Sequence, residues 1–552
     1  MPTRTTIVTA ALPYANGDIH IGHLVEYVQA DIYVRHLRAE GEACYYVCAD
    51  DAHGAPIAIR AEQEGTNPEA WIAGMKVRHE ADFARFAIAF DIYHSTHSPE
   101  NRALVGHIFA RLEAGGHIVP RRVQQLYDAE AGRFLADRYL RGRCPRCDTA
   151  DQYGDGCESC GATYDALELR EPISMLSGTA PEIRASDHLF FDIPAFTQFL
   201  RDYHRAIGLQ PGVANKLDEW FETGLLAWNI SRDAPYFGFE IPGYEGKFFY
   251  VWVDAPVGYL ASFAALCARR GEDFDRILAD PETRLVHFIG KDIAYFHTVF
   301  WPAMLRAASM KLPDAIWCHG FLTIDGRKMS KSRGTLIPAE TLAAAIDPDA
   351  FRYFIFAMLG EGLDDIDLTP SSLRDRVNSE LVGKVANIGS RCAALLHQID
   401  EGALAPAIAD EAGFDTCLES IGEARALIRA RRYSSACRKL VSTAEDVNRW
   451  LAGLAPWHLA RGSDTERSLA QAIATQGLLS FRALMIALSP VTPGISTRAL
   501  DHFSGARAPL AGTYADLDIR DQLEGMRVSE IRNLITRIDD AQLADLFEST
   551  AA

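Results

Sequence analysis

The sequence predicts an α/β protein in which an open parallel sheet, covered by helices on both faces, is split by an insertion and followed by an α-helical bundle. Three observations support this. Short β-branched or apolar runs alternate with helically periodic stretches over residues 1–114 and again over 232–322, as in a doubly covered parallel sheet. Between 115 and 231 that alternation breaks into Gly-, Cys- and Arg-rich turns. From 377 to 552 strand signals thin out, and "EARALIRARRYSSACRKLVSTAEDVNRWLAGL" (423–454) keeps a helical period.

Taken in order, "TTIVTAAL" (5–12) is a β-branched run ending at Pro13, after which Ile21, Leu24, Val25, Val28 and Ile32 recur at helical spacing. "ACYYVCA" (43–49), "RLVHFIG" (284–290) and "AIWCHGFL" (315–322) read as three further buried strands. Residues 323–376 form a connecting region that opens with a cationic, Gly-bounded segment, "DGRKMSKSRG" (325–334), too polar for a core. With 552 residues, 48% apolar and 23% charged, the chain can bury the cores of three or four units. It has no run of eighteen apolar residues and no signal-peptide pattern, so a cytosolic location is expected. A net charge of −19 argues against a nonspecific nucleic-acid coat, though not against a basic face focused on one RNA.

Ligands of open parallel sheets bind beyond the carboxyl ends of the strands, which directs attention to the loop "PYANGDIHIGHL" after the first one. Gly17 and Gly22 are spaced like the outer glycines of a phosphate loop, but His23 and Leu24 stand where that loop needs Lys and Ser or Thr. What remains is a pair of imidazoles, His20 and His23, at a helix N-terminus that already favours an anion. They could donate to phosphate oxygens; a zinc pair or a helix cap is the equal alternative on these residues alone.

In the insertion, Cys144, Cys147, Cys157 and Cys160 form C-x₂-C-x₉-C-x₂-C, with Gly154, Gly156 and Gly161 placed to allow tight turns. Four thiolates close a tetrahedral Zn²⁺ site with no open position, which makes it structural, with one ion per chain; disulfides or an iron–sulfur cluster are the alternatives. The other seven of the eleven cysteines are scattered and read as plain thiols. In the bundle, Arg425, Arg429, Arg431, Arg432, Arg438 and Lys439 fall within fifteen residues, either a solvated face or a stripe for an RNA backbone.

"HIGH" (20–23) after a first strand and "KMSKS" (328–332) after a later one resemble the paired signatures of class I aminoacyl-tRNA synthetases. "ALPYANG", "CADDAHG", "FYVWVDAPVGY", "FIGKDIAYFH" and "ANIGSR…PW" extend the resemblance to the methionyl-tRNA synthetase family over residues 6–546. The resemblance implies a Rossmann-type catalytic domain (1–114 and 232–322), a zinc-bearing connective insertion (115–231), a KMSKS region (323–376) and an anticodon-binding bundle (377–552). It implies ATP-dependent activation of L-methionine to the adenylate, with Mg²⁺ accompanying ATP, and transfer to initiator and elongator tRNA(Met). A monomer is expected, because the dimerisation extension found in many members is not seen.

Residue by residue, the family likeness makes His20, His23, Lys328 and Lys331 catalytic, with Lys331 foremost. His20, Gly22, His23, Gly290, Asp292, His319 and Lys331 are then ATP contacts. The methionine pocket maps onto Leu12, Asp51, Trp252, Ala255, Pro256, Tyr259, Ile293 and His297, with Asp51 for the ammonium and Tyr259 and His297 as polar contacts. The anticodon contacts are Asn387, Arg391 and Trp457. Asp50 reads as structural, while Asn16 and Lys291 have no assigned part. Two alternatives accompany this reading: a class I synthetase for another amino acid, or an RNA-binding module derived from one.

Overall fold

The computed structural model describes residues 5–162, 164–329, 336–504 and 513–548. Its centre is a five-stranded, wholly parallel sheet of β1 (Thr5–Ala10), β2 (Ala43–Asp50), β3 (Ile92–Ser95), β4 (Arg284–Gly290) and β5 (Ala315–His319). The spatial order is β5-β4-β1-β2-β3, so the direction of winding reverses between β1 and β4. That reversal opens a crevice at the carboxyl ends of the two strands, where side connections run to opposite faces. Helix α1 (Ile21–Ala39) packs one face almost without exposed residues, while Val257–Arg270 and Trp301–Ala307 contribute to the core on the other.

β3 escaped the sequence reading because "IYHS" is short and half of it only partly buried. The expected strand 315–322 ends at His319: Gly320 lies against the backbone of Asp364, and the chain restarts as Leu322–Ile324 in a separate small sheet with Arg327–Lys328 and Ile366–Leu368.

The insertion is built on the long antiparallel pair Ile118–Asp128 and Glu182–Phe191. A three-stranded lobe of Leu140–Arg143, Gln152–Tyr153 and Arg170–Ser174 carries the cysteines and rests on a small apolar cluster that includes Leu126, Tyr139 and Leu169. Beyond residue 386 the helices Asn387–Asp400, Glu411–Arg429, Tyr433–Leu454 and Asp464–Leu488 form the bundle. Asp464–Leu488 is long and apolar enough to cross a membrane, but it is buried nearly all round from Ala470 onward, as a bundle's central helix must be.

The basic run 425–439 is mostly spent on docking this bundle to the sheet. Arg425 pairs with Glu40 at 2.8 Å and lies over the Tyr514 ring, and Arg429 pairs with Glu42. Arg431 stacks 3.9 Å from the Trp317 ring centre, Arg432 pairs with Glu361 at 2.6 Å, and Lys439 with Glu423 at 2.6 Å. Exposed pairs of this kind contribute about 0.2–1 kcal/mol each, so they align the two units more than they hold them. A stronger tie is Arg352, fully buried, whose guanidinium bonds Asp31 of α1 at 2.7 Å and the carbonyls of Phe86, Pro490 and Val491.

Candidate active site

A cleft of about 360 Å³ occupies the crevice between β1 and β4. It is lined by Leu12, His20, Gly22 and His23 from the loop after β1, by Gly290, Asp292 and Ile293 after β4, and by His319 at the end of β5. Eight residues singled out from sequence thus meet in one place, because the ends of β4 and β5, about 280 and 310 residues along the chain from that of β1, come to lie beside it.

His20 is the N-cap of α1. Its Nδ1 accepts from the Gly22 amide at 3.2 Å, and the Nδ1 of His23 accepts from the His20 amide at 3.3 Å. A neutral imidazole that accepts at Nδ1 carries its proton on Nε2, so both rings present an N–H as well as capping the helix. The rings stack at 3.6 Å between centroids. Of the readings of these histidines, the helix cap is thus present in the structure, and among the described residues the one cluster of three or more potential metal ligands is the four cysteines. Met329, from the second signature, packs against Gly22, where an added Cβ would stand 2.5 Å from the Met329 methyl carbon. The backbone after that signature also bonds the loop: Ile21 N–H to Ile337 O at 3.0 Å, and Ala339 N–H to Ile19 O at 2.9 Å. Lys331 lies outside the described residues, and Lys328 ends the short strand Arg327–Lys328.

His319, expected among the ATP contacts, is the last residue of β5. It lines the cleft, is 7% exposed, and sits 3.4 Å from Glu26 Oε2. Burial works hardest against its charged form, but the Glu26 carboxylate, the Gly320 carbonyl and Asp292 together raise its pKa. Burial likewise raises Glu26, partly offset by His319. Sequence reasoning missed Glu26; the available signal was an acid within the apolar stripe of α1. Asp292 folds its carboxylate back over Gly290, at the exposed rim of the cleft. Lys291 ties this turn down through Asp365 at 2.6 Å.

The methionine-pocket candidates lie beside the cleft. Leu12 reaches Gly258, next to Tyr259, and Tyr259 Oη is 2.8 Å from His297 Nε2. His297 Nδ1 donates to Ile293 O at 3.0 Å; burial depresses its pKa to about 4, so at neutral pH the single ring proton is on Nδ1 and the tyrosine must donate to Nε2. The polar hydrogens of these two expected methionine contacts are therefore both engaged, one with the other residue and one with backbone. His297 sits in a single π-wound turn, Phe296–Phe300, of the kind enriched at functional sites. Trp252 stacks on Phe296 at 4.3 Å, and Ala255 and Pro256 form the buried corner between Trp252 and Tyr259.

Asp51 adjoins the β1 loop through backbone bonds to Pro13 and Ala15. Burial, then Asp254, then Asp50 push its pKa well above the carboxylate range, and Oδ1 finds no partner among the described residues. A cation would relieve that orphaned oxygen. Beside it, His53 and Asp254, both fully buried, approach to 2.5 Å, a pair that sequence reasoning also missed although an Asp inside "VWVDAP" was a visible anomaly.

The four cysteine sulfurs lie within 4.8 Å of one another, Cys144 to Cys160 at 3.8 Å and Cys147 to Cys157 at 3.5 Å. Disulfides would need about 2.05 Å. A tetrahedron with Zn–S bonds of about 2.3 Å has edges of about 3.8 Å, so the donor set fits Zn²⁺. Amides of Arg146 and Cys147 donate to Cys144 Sγ, and that of Cys160 to Cys157 Sγ, which holds the sulfurs in place. Each knuckle turns on a left-handed residue, Gly161 at φ 72° and Asp148 at φ 62°. Gly154 and Gly156 do not have positive φ, so Asp148 takes a turn the sequence reading had given to glycine.

In the bundle, Asn387 and Arg391 lie one turn apart on the same helix, and the Arg391 guanidinium lies 4.6 Å from the Trp457 ring centre. The ring is half-buried, with one face already covered.

A sheet that reverses its order between the loops after β1 and β4, with Met329 of the second signature packed on Gly22 of HIGH, is the arrangement of a class I aminoacyl-tRNA synthetase, and the family model of tRNA synthetases class I (M) matches residues 6–393. A curated methionine–tRNA ligase from Stenotrophomonas maltophilia (strain R551-3) is 46% identical, over 99% of this chain and 79% of that protein. The chain belongs to the methionyl-tRNA synthetase family. Mycobacterium tuberculosis methionyl-tRNA synthetase in complex with methionyl-adenylate has the same fold, at TM-score 0.80 and 23% identity over 97% of this chain and all of that one. A second structure of that enzyme, bound by methionyl-adenylate, superposes at TM-score 0.79 and 22% identity over 96% of this chain.

Proposed function

We propose that this chain activates L-methionine with ATP and transfers the methionyl group to the 3′-terminal ribose of initiator and elongator tRNA(Met). The observation that carries the reading is the convergence of His20, His23, Asp292 and His319 on one cleft that abuts the Tyr259–His297 pocket. In the first step a methionine carboxylate oxygen attacks the α-phosphorus of ATP, which arrives with Mg²⁺, and the bond to pyrophosphate breaks. Charge then grows on phosphate oxygens, where positioned donors count most. The Nε2–H groups of His20 and His23 bind that charge on one side and Lys331, aided by Lys328, on the other. Asp292 takes the ribose hydroxyls, His319 and Gly290 flank the base, and Asp51 holds the ammonium of methionine. In the second step a ribose hydroxyl oxygen attacks the adenylate carbonyl, loses its proton, and AMP leaves.

Zn²⁺ held by Cys144, Cys147, Cys157 and Cys160 braces the insertion lobe and takes no part in the chemistry. The bundle from 377 reads the anticodon through Asn387, Arg391 and Trp457, and the free thiols suit a reducing compartment, the cytosol. ATP–pyrophosphate exchange with each standard amino acid tests the reading: methionine alone should support it at low concentration. Lys331→Ala should lower kcat far more than it raises KM for methionine. Exchange supported best by another amino acid refutes the substrate.

A further inference from the structure

A groove of about 430 Å³ runs along the outer side of the methionine pocket, between the insertion helix Pro211–Thr223 and the helix after β4. Its walls are half-buried rings. Trp220 meets Tyr295 edge-on at 4.8 Å, Trp228 lies 6.0 Å from Tyr295, and Arg232 covers Tyr250 at 3.9 Å. At its lip the loop Gly224–Ala227 displays Leu226 at 76% exposure, the most exposed large apolar side chain among the described residues. In a chain of net charge −19, no carboxylate lines the groove among the described residues, and its one charged group is Arg232. The groove abuts the pocket through one series of rings: Trp228 lies 5.0 Å from Phe296, and Phe296 stacks on Trp252.

We propose that this groove seats the unpaired 3′-terminal nucleotides of the transfer RNA on their way to the adenylate. The inference rests on the function proposed above, because transfer requires the 3′ ribose to reach a carbonyl held in the methionine pocket. Trp228 belongs both to the groove and to the series of rings that bounds the pocket, so a strand lying in the groove ends next to it. Aromatic faces and edges with one arginine and no acid are what an unpaired polynucleotide recognises: bases stack, and the phosphate meets a cation. Leu226 extends the apolar edge outward, and its exposure has a purpose if a base closes over it.

The test uses the full chain with Leu226→Asp, Leu226→Lys and Trp220→Ala, and two probes: a tRNA transcript with a CAU anticodon and the same transcript lacking its last three nucleotides. Leu226 is exposed, so its variants fold. Leu226→Asp and Trp220→Ala should weaken charging at limiting RNA roughly five- to a hundredfold, the span of one lost stacking contact. Leu226→Lys should hold or improve it, and methionine-dependent exchange should stay within about twofold in both Leu226 variants. The shortened transcript should bind parent and Leu226→Asp alike. Equal weakening of both transcripts, unchanged charging in Leu226→Asp, or a change of sedimentation with charging intact, the sign of a second copy seated there, overturns the proposal. Failure of the parent to catalyse exchange at all would instead overturn the proposed function.

Discussion

Replacing Tyr259 by phenylalanine removes one oxygen atom and leaves the ring, which still packs 4.8 Å from His287. The lost hydroxyl is the donor to His297 Nε2 at 2.8 Å, and His297 is only 4% exposed. Its other nitrogen is held by the Ile293 carbonyl, so the ring keeps its orientation and one buried acceptor is orphaned. Leaving such a group unpaired costs about 1–3 kcal/mol. If the orphaned Nε2 lone pair then faces the thioether, which has no hydrogen to offer it, the loss falls on methionine recognition, and kcat/KM for methionine drops roughly five- to 150-fold, since about 1.4 kcal/mol is tenfold. Norleucine, with a methylene in place of sulfur, should lose much less, so discrimination between the two should shrink. Exchange kinetics over a range of each amino acid, with thermal unfolding alongside, make the comparison. A fall in Tm with an unchanged methionine-to-norleucine ratio refutes the argument and makes the hydroxyl a structural group.

Purified protein should contain one zinc per chain, and Cys157→Ser should release it and open residues 144–160 to proteolysis; the absence of metal from the parent would contradict this. Trp457→Ala should cut tRNA charging at limiting RNA roughly five- to a hundredfold through lost stacking while leaving exchange unchanged, and lost exchange or an unfolded bundle would make Trp457 a packing residue. Stability should fall from pH 6.5 toward 4, because His297, at about 4 when folded, refuses a proton that the unfolded chain accepts near 6.5. The depressed histidine contributes up to about 3 kcal/mol of stability that is present above pH 6.5 and lost on acidification, while Asp51 and Glu26, raised by burial, act in the opposite direction. Urea unfolding at pH 7 and pH 5 should show the acid-side loss reduced in His297→Asn, and an identical loss in parent and variant removes His297 from the account.

Motif residues were legible because their chemistry is local. HIGH opens a helix whose cap is His20 itself, and the Cys-x₂-Cys pairs need only a tight turn to aim two sulfurs at one point. Strands β1, β2 and β4 were likewise visible as continuous apolar runs, as strands buried on both faces must be. β3 was too short to show a period, and the break at Gly320 depends on the Asp364 backbone passing close by, which no local pattern encodes.

The basic run 425–439 shows the limit of composition. Its charges could have faced solvent, RNA or the protein, and only the packed structure sets Glu40, Glu42, Glu361 and Trp317 opposite them. The same holds for Glu26 with His319 and His53 with Asp254, whose partners lie 293 and 201 residues away: burial raises both carboxyl groups, and the Glu26 carboxylate in turn raises His319. Local periodicity, turn chemistry and ligand spacing are properties of neighbours along the chain, and these the sequence by itself determined: alternating strands and helices, the closed thiolate site, and the two signature loops. Which strand reverses the sheet, which rings wall the groove at Trp228, and which partners engage the hydrogens of Tyr259 and His297 follow from contacts between distant segments, and only the tertiary structure decided them.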